Sequence, residues 1–345
     1  MSIISVIIPC YNVSAYIDRC LTSVTKQTVG VNDLEIICID DASTDDTWQK
    51  LQKWEQRFPE NLLAVHCDVN GRQGTARNIG LQYASAPWIA FIDSDDWLEL
   101  DYLEKMYVIT LQGECDIVCC QEERDFSTEL TYLDNRKCEK DSRFMVIDTV
   151  EKRKIFLYLQ SMGLSAWGKL ICKNLLTDNQ VVFPENLAYE DCYWGLLLHM
   201  YANRIYFLEE KLYHYFVNTT STVLQKNGSY HTDCITVQLM KWNAFAQRGF
   251  LELYRDELEY DFLRTCYLGF LKILFLRYDV PSFSLYQLAK EITLQYVPDY
   301  RKNPYVNNGL SPFYLTLLES LMLPMNPDTF AQLADYAKSY WNGNK

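Results

Sequence analysis

Three carboxylates in four residues, Asp93, Asp95 and Asp96, follow directly on the apolar run Trp88 to Ile92. Acids this close repel one another unless a cation or hydrogen-bond donors offset their charge. A divalent ion is the economical partner. Oxygen-only ligands favour Mg2+ or Mn2+, which take one or two protein carboxylates and fill the remaining positions with water and substrate phosphates. The implied substrate carries a diphosphate. A helix start explains one of the three acids but not all of them. A second pair, Asp40 and Asp41, also ends an apolar run, and Tyr11 follows another. A carboxylate accepting from a nucleobase N–H and a ring to stack on it would make a base pocket. Ser43 and Asp46 also approximate a capping box, so the same segment opens a helix.

The stretch Asn70 to Gly80 holds Gly71, Gly74 and Gly80 but no G-x-G-x-x-G, which disfavours a dinucleotide fold. Gly71 and Gly74 suit a tight loop feeding a helix, and Arg77 is a fixed cation suited to a base carbonyl or a phosphate. Glu190 and Asp191 open an apolar helix, where acids are favourable in the first turn and a carboxylate can also serve as a general base.

These residues need a scaffold that brings strand ends together. Short β-branched runs alternate with helical stretches over the first hundred residues: strands at 3–8, 34–39, 62–66 and 88–92, helices at 15–27, 45–58, 73–83 and 100–111. That cadence predicts βαβ units in a doubly wound sheet with helices on both faces. Ligands bind such sheets beyond the carboxyl ends of the strands, where Pro9-Cys10-Tyr11-Asn12, Asp40-Asp41 and Asp93 to Asp96 fall. Residues 120–154 are charged and less periodic, as in a solvated loop or an edge excursion. A helix to Leu159, the segment Trp167 to Leu170, the helix from Glu190, and strand-like runs at 204–208 and 212–217 come next. Beyond Tyr230 the pattern is helical. The run Phe262 to Tyr278 is apolar but carries Arg264, Lys272 and Arg277, so it reads as a core helix and not a membrane span.

Composition narrows the function classes. The 345 residues carry 32 Lys plus Arg against 45 Asp plus Glu, a net charge of −13 that argues against nucleic acid as a partner. Aromatics at 14% and charged residues at 22% describe a folded protein and not a disordered chain or a membrane bundle. Twelve cysteines are scattered without a C-x-x-C pair, which suits buried thiols in a reducing cytosol better than zinc or disulfides. No export signal is evident at the N-terminus.

The motifs in their order resemble the inverting nucleotide-sugar glycosyltransferases of family 2, a GT-A fold group that includes many makers of bacterial surface polysaccharide. Ser5 to Asn12 looks like the family's opening strand, Ile39 to Asp45 its second motif, Gly74 to Gly80 its third, and Phe91 to Trp97 its D-x-D segment. Trp167-Gly168-Lys169-Leu170 and Glu190-Asp191 look like the later landmarks. The family often has Gly where Ala42 stands.

The resemblance implies a mixed, mainly parallel doubly wound sheet with a helical C-terminal region. It covers roughly residues 1–220; with the boundary that the helical pattern sets near Gly228, the chain divides into a GT-A domain at 1–228, its nucleotide-binding half at about 1–110 and acceptor half at about 111–228, and helices at 229–345. The resemblance assigns Tyr11 to stacking on the base and Asp41 to bonding it, with Pro9, Asn12, Asp40, Gly74, Arg77 and Asp95 also on the nucleotide. It gives Asp93, Asp95 and Asp96 to Mn2+ or Mg2+, with His214 or His231 as an added metal ligand. Asp191 becomes the base and Glu190 its neighbour. Uridine is the favoured base, and the acceptor is a saccharide hydroxyl, with a lipid-linked saccharide and peripheral contact at the inner face of the membrane among the forms it allows. Two rival classes remain: an Asp93-dependent phosphohydrolase, whose motif wants Thr or Val where Trp97 stands, and a non-catalytic nucleotide-sugar binding module.

Overall fold

A computed structural model of the chain describes residues 2–113, 115–218, 221 and 224–343. Two compact units divide it. Residues 1–153 and 160–218 form the first, and 154–159 with 219–345 form the second. The division falls about ten residues before Gly228 and assigns a short helical segment to the second unit.

The first unit is built on β1 (Ile4–Cys10), α1 (Ile17–Thr25), β2 (Leu34–Asp40), α2 (Thr47–Arg57), β3 (Leu62–His66), α3 (Arg72–Tyr83), β4 (Trp88–Phe91), β5 (Trp97–Leu98) and α4 (Tyr102–Leu111). It continues through β6 (Ile117–Asp125), β7 (Arg143–Val146), the start of α5 (Val150–Leu159), whose residues from Lys154 belong to the second unit, β8 (Lys169–Cys172), α6 (Lys173–Asp178), α7 (Asp191–Tyr201) and β9 (Arg204–Phe216). One sheet runs β3-β2-β1-β4-β8-β6-β9-β5, with β7 also paired to β9. The first four strands in that order are parallel to one another. β8 enters antiparallel between β4 and β6, and β6 and β9 pair in parallel. The architecture is therefore a mixed α/β sheet whose parallel half holds the strand ends of interest. β1 is buried along its whole length, as expected for a central strand covered on both faces.

Pro9 would break a ladder in most central strands, because it has no N–H to donate. Here β4 pairs β1 only as far as Ile7, so Pro9 lies beyond the point where that neighbour ends. Local pattern also misleads in the second half. Residues 120–154 are not a simple loop: β6 runs on to Asp125, and Arg143–Val146 forms β7 against β9. The two runs flanking Glu209 and Glu210 are one strand, β9. Its pairing with β6 slips from Leu208 opposite Cys120 to Lys211 opposite Gln121, and the bulge absorbs the acidic residues. Glu209 is held there by Arg143 at 2.7 Å and Gln121 at 2.9 Å.

The second unit is helical: α8 (Asp233–Gln247), α9 (Phe250–Phe262), α10 (Phe270–Arg277), α11 (Phe283–Tyr296), α12 (Pro304–Gly309), α13 (Pro312–Glu319) and α14 (Pro327–Gly343). A π-helical turn, Leu263–Gly269, joins α9 to α10, and most of that apolar run is buried. No helix among the described residues is long and apolar enough to cross a membrane. All twelve cysteines are free thiols.

Candidate active site

The loops after β1 and β2 are tied to each other by Asn12, which takes a left-handed backbone (φ 52°). Its Oδ1 accepts from the Thr44 N–H at 2.8 Å, and its own N–H donates to Ser43 Oγ at 2.9 Å. Tyr11 beside it is 47% exposed, leaving its ring free to stack. Asp41 is buried, and its Oδ1 accepts from the Gly71 N–H at 2.7 Å, while Asn70 Nδ2 donates to the Asp41 carbonyl at 3.1 Å. Burial raises the Asp41 pKa in spite of that donor. Asp40 turns elsewhere. Successive side chains of a strand point to opposite faces, and Asp40 is wholly enclosed with Oδ2 2.6 Å from His66 Nδ1. Its expected contact with a nucleotide is therefore not open in this geometry.

The helix α3 gathers the remaining groups. Gly80 packs so closely on β1 that a Cβ would lie 2.4 Å from Ile7 Cγ2. Gly74 faces the segment leading into α7, where a Cβ would lie 2.3 Å from the Pro184 carbonyl and 3.1 Å from Glu190 Cγ. Its lack of a side chain serves close packing and not a turn; the positive φ of this loop belongs to Arg72 (65°). Around it, Asn78 exchanges two 2.9 Å bonds with the Phe183 backbone, and the Asn186 N–H donates to Thr75 Oγ1 at 3.0 Å.

One turn on, the Arg77 guanidinium is 3% exposed and bridges two motifs. Nη1 donates to Glu190 Oε1 at 2.6 Å and Nη2 to Asp93 Oδ1 at 2.7 Å. Burial pulls its pKa down, yet the two carboxylates outweigh that and the net shift is upward. Arg77 is thus committed to protein carboxylates. Glu190 stands just before α7 without a side-chain capping bond, and Asp191 is the first residue of this eleven-residue helix, at its positive end. Burial raises the pKa of both acids, while Arg77 opposes the rise.

The acidic strand end splits into different roles. Asp93 keeps part of its carboxylate exposed while bonding Arg77. Asp95 is pushed up to about 6 by burial and then by the charge of Asp93. Its loop is fixed by Arg19, whose Nη2 donates to the Asp95 carbonyl at 2.6 Å and whose guanidinium lies 3.9 Å from the Trp97 ring centre. Asp96 is 1% exposed and turns inward: Oδ2 accepts from Tyr213 OH at 2.6 Å and Oδ1 from the Phe216 N–H at 2.8 Å. Both of its oxygens thus anchor β9 and are not free for the metal expected at this position. His214 is also accounted for. It stacks on Trp97, with Nε2 2.9 Å from Glu99 and Nδ1 3.3 Å from Asp125, leaving neither nitrogen for a metal. His231 belongs to the second unit, its Nε2 2.9 Å from the Gln225 carbonyl oxygen.

Among the described residues no three His, Cys, Asp or Glu side chains converge as a metal cluster. A divalent ion of the Mg2+ or Mn2+ kind needs only one or two carboxylates when phosphates and water complete the shell. Asp93 and Asp95 fit that requirement in number and donor type. Arg19, Tyr213 and the Phe183–Asn186 segment escaped the reading of the sequence; only the Tyr213-His214-Tyr215 run gave any local signal. Lys169 sits in a related setting. Enclosed at the start of β8, its Nζ donates to the Ser165 carbonyl at 2.7 Å, and burial lowers its pKa.

Residues 5–170 match the family model described as glycosyl transferase family 2. The chain carries a family 2 glycosyl transferase domain. EpsH of Bacillus subtilis (strain 168), described as a glycosyltransferase, is 28% identical over 268 residues, 74% of this chain and 73% of that protein. The poly(ribitol-phosphate) beta-N-acetylglucosaminyltransferase TarS of Staphylococcus aureus (strain MW2) is 28% identical over 225 residues, 61% of this chain but only 35% of TarS. The chain thus spans about a third of that relative's length. The crystal structure of S. aureus TarS 1-349 in complex with UDP-GlcNAc aligns with a TM-score of 0.55 at 20% identity, covering 93% of this chain and 80% of that one. This likeness establishes the GT-A fold. The matched residues 5–170 include Asp41, Arg77 and the acids at 93–96 and end before Glu190 and Asp191.

Proposed function

We propose that the chain transfers a sugar from a uridine diphosphate donor to a saccharide hydroxyl with inversion at the anomeric carbon, in the assembly of a bacterial surface glycan. The observation that carries this reading is Arg77, whose guanidinium ties Asp93 of the acidic strand end to Glu190, next to Asp191. This contact supports reading Asp93 as a carboxylate that would face the diphosphate and Asp191, the neighbour of Glu190, as the base. Tyr11 would stack on the base and Asp41, held by Gly71, would accept from its N–H. Asp191 would take the proton of the acceptor hydroxyl as that oxygen attacks the anomeric carbon and the bond to the diphosphate breaks. A single displacement needs no enzyme nucleophile. Asp93 and Asp95 would hold the divalent cation, which when bound offsets charge on the departing diphosphate. The upward shift of Asp191 suits a group that must accept a proton. The donor bound by TarS and the function of that relative support a UDP-sugar and a polysaccharide acceptor.

Two measurements test the proposal. Thermal stabilisation by UDP, GDP, dTDP and CMP, each with and without Mn2+, should favour UDP with metal, by ~2.7 kcal/mol at 100 times its Kd. Asp191→Asn should retain that stabilisation and lose transfer by about 10²- to 10⁴-fold. Near-normal turnover in Asp191→Asn would refute its role as base.

A further inference from the structure

The helical unit contains an open groove of about 930 Å³ that none of the family motifs reaches. Its volume is that of an ordinary ligand site. Lys272 and Arg277 of α10 and Lys338 of α14 line it together with the rings of Tyr278, Tyr314 and Trp341. Among the described residues none of these three cations has a carboxylate within ion-pairing distance. Asp279, the only acid among the described lining residues, is paired with Lys226 at 2.7 Å and interacts at longer range with Lys338.

The charge distribution makes this concentration specific. Residues 219–345 hold 12 Lys plus Arg and 12 Asp plus Glu, so the entire net charge of −13 lies in residues 1–218. Within a neutral region of an acidic chain, one concave surface holds Lys226, Lys272, Arg277 and Lys338 against the single lining acid Asp279. The lining cations outnumber the one acid among them, Asp279, which also feels Lys338; such an excess of like charge raises the energy of the free protein, and an anionic ligand relieves it. The aromatic component selects among anions. Tyr and Trp present flat apolar faces with a polar edge, which suit the C–H faces and hydroxyls of saccharides. Trp341 is 8% exposed, and its buried Nε1–H has no acceptor among the described residues.

We propose that this groove binds a phosphate-bearing saccharide chain, the cations contacting phosphates and the rings contacting sugar or polyol units. The proposal rests on the glycosyltransferase reading only for its biological sense: it would make the groove the place where an anionic acceptor is retained through successive transfers. The binding itself follows from the groove.

The test uses the full chain, a poly(glycerol phosphate) oligomer as probe, neutral dextran as control, and phosphatidylglycerol-containing vesicles as the lipid alternative. Binding of the oligomer that weakens with added salt, is about tenfold weaker in Lys272→Ala/Lys338→Ala, and is recovered in Lys272→Arg/Lys338→Arg supports the proposal. Both lysines are solvent-accessible, and an unchanged melting temperature and UDP shift in the variants would show that the fold and donor site are intact. Equal binding by wild type and the alanine variant, no binding of the oligomer by wild type, or binding of vesicles in its place would each overturn it. Lysine-dependent oligomer binding in a chain that fails to bind UDP would keep the groove and reject the donor assignment.

Discussion

Replacing Arg77 by Leu tests whether one cation holds the acidic strand end and the start of α7 together. The guanidinium is 3% exposed and lies 2.6 Å from Glu190 and 2.7 Å from Asp93. Leu would leave both carboxylates without their cation. Breaking a buried pair by removing one partner costs about 3–5 kcal/mol, which at about 2–4 °C per kcal/mol lowers Tm by roughly 6–20 °C near neutral pH. The pH dependence fixes the cause. Burial raises the Glu190 pKa, Arg77 pulls it down and Asp191 pushes it up, so losing Arg77 raises it further. A carboxyl with a raised folded-state pKa keeps its proton where the unfolded chain has lost it. Its contribution is full below the unfolded value and is lost as pH rises through the folded one. The deficit of Arg77→Leu relative to wild type should therefore shrink on going from about pH 7.5 to about pH 5. Thermal melts of wild type, Arg77→Leu and Arg77→Leu/Glu190→Gln at both pH values provide the assay, with the double variant recovering stability at the higher pH. A loss under about 3 °C near pH 7.5, or a deficit that grows on acidification, would refute the reasoning.

Ala42 holds a left-handed backbone (φ 59°); relieving a Cβ cost of about 1–2 kcal/mol, less about 0.4–1 kcal/mol for a freer unfolded chain, should make Ala42→Gly more stable, read as a higher Tm. Gly74→Ala places a Cβ 2.3 Å from the Pro184 carbonyl and should cost about 1–3 kcal/mol in urea unfolding. In the helical unit Lys241 and Asp261 form an ion pair with both side chains under 5% exposed. Lys241→Met should cost about 3–5 kcal/mol, and Lys241→Met/Asp261→Leu should regain most of it in denaturant titrations.

The parallel half of the sheet was legible because its strands are short apolar runs separated by amphipathic helices, and each strand end is marked by a polar cluster. Antiparallel β8 and the bulged β9 were less so. β8 has four residues, too few for a period, and Glu209 and Glu210 interrupt the pattern of β9 at the very place where a bulge absorbs them. The same limit applies to side-chain roles. Three acids at 93–96 look equivalent in sequence, yet Tyr213 and the Phe216 backbone claim Asp96 from a strand about 120 positions away. His214 is offered to a metal by resemblance alone, and its partners Glu99 and Asp125 lie 115 and 89 positions away. Composition and spacing record which chemistry a segment can offer; long-range hydrogen bonds decide which groups remain to offer it.

That distinction changes the meaning of the third motif. Gly74, Thr75, Arg77, Asn78 and Gly80 suggest a loop and a cation for a nucleotide. In the fold they form a clasp, because together they join three neighbouring segments around one helix. Gly80 seats α3 on β1, and Gly71 at its start fixes Asp41. Gly74, Thr75 and Asn78 grip residues 183–186, and Arg77 joins Asp93 to Glu190. A small residue at position 74 is needed for Glu190 to come near enough for Arg77 to reach it. The order of small and polar residues along α3 therefore sets the spacing between the acids proposed to face the diphosphate and the acid proposed to activate the acceptor. A substitution in α3 can alter that spacing without touching either substrate.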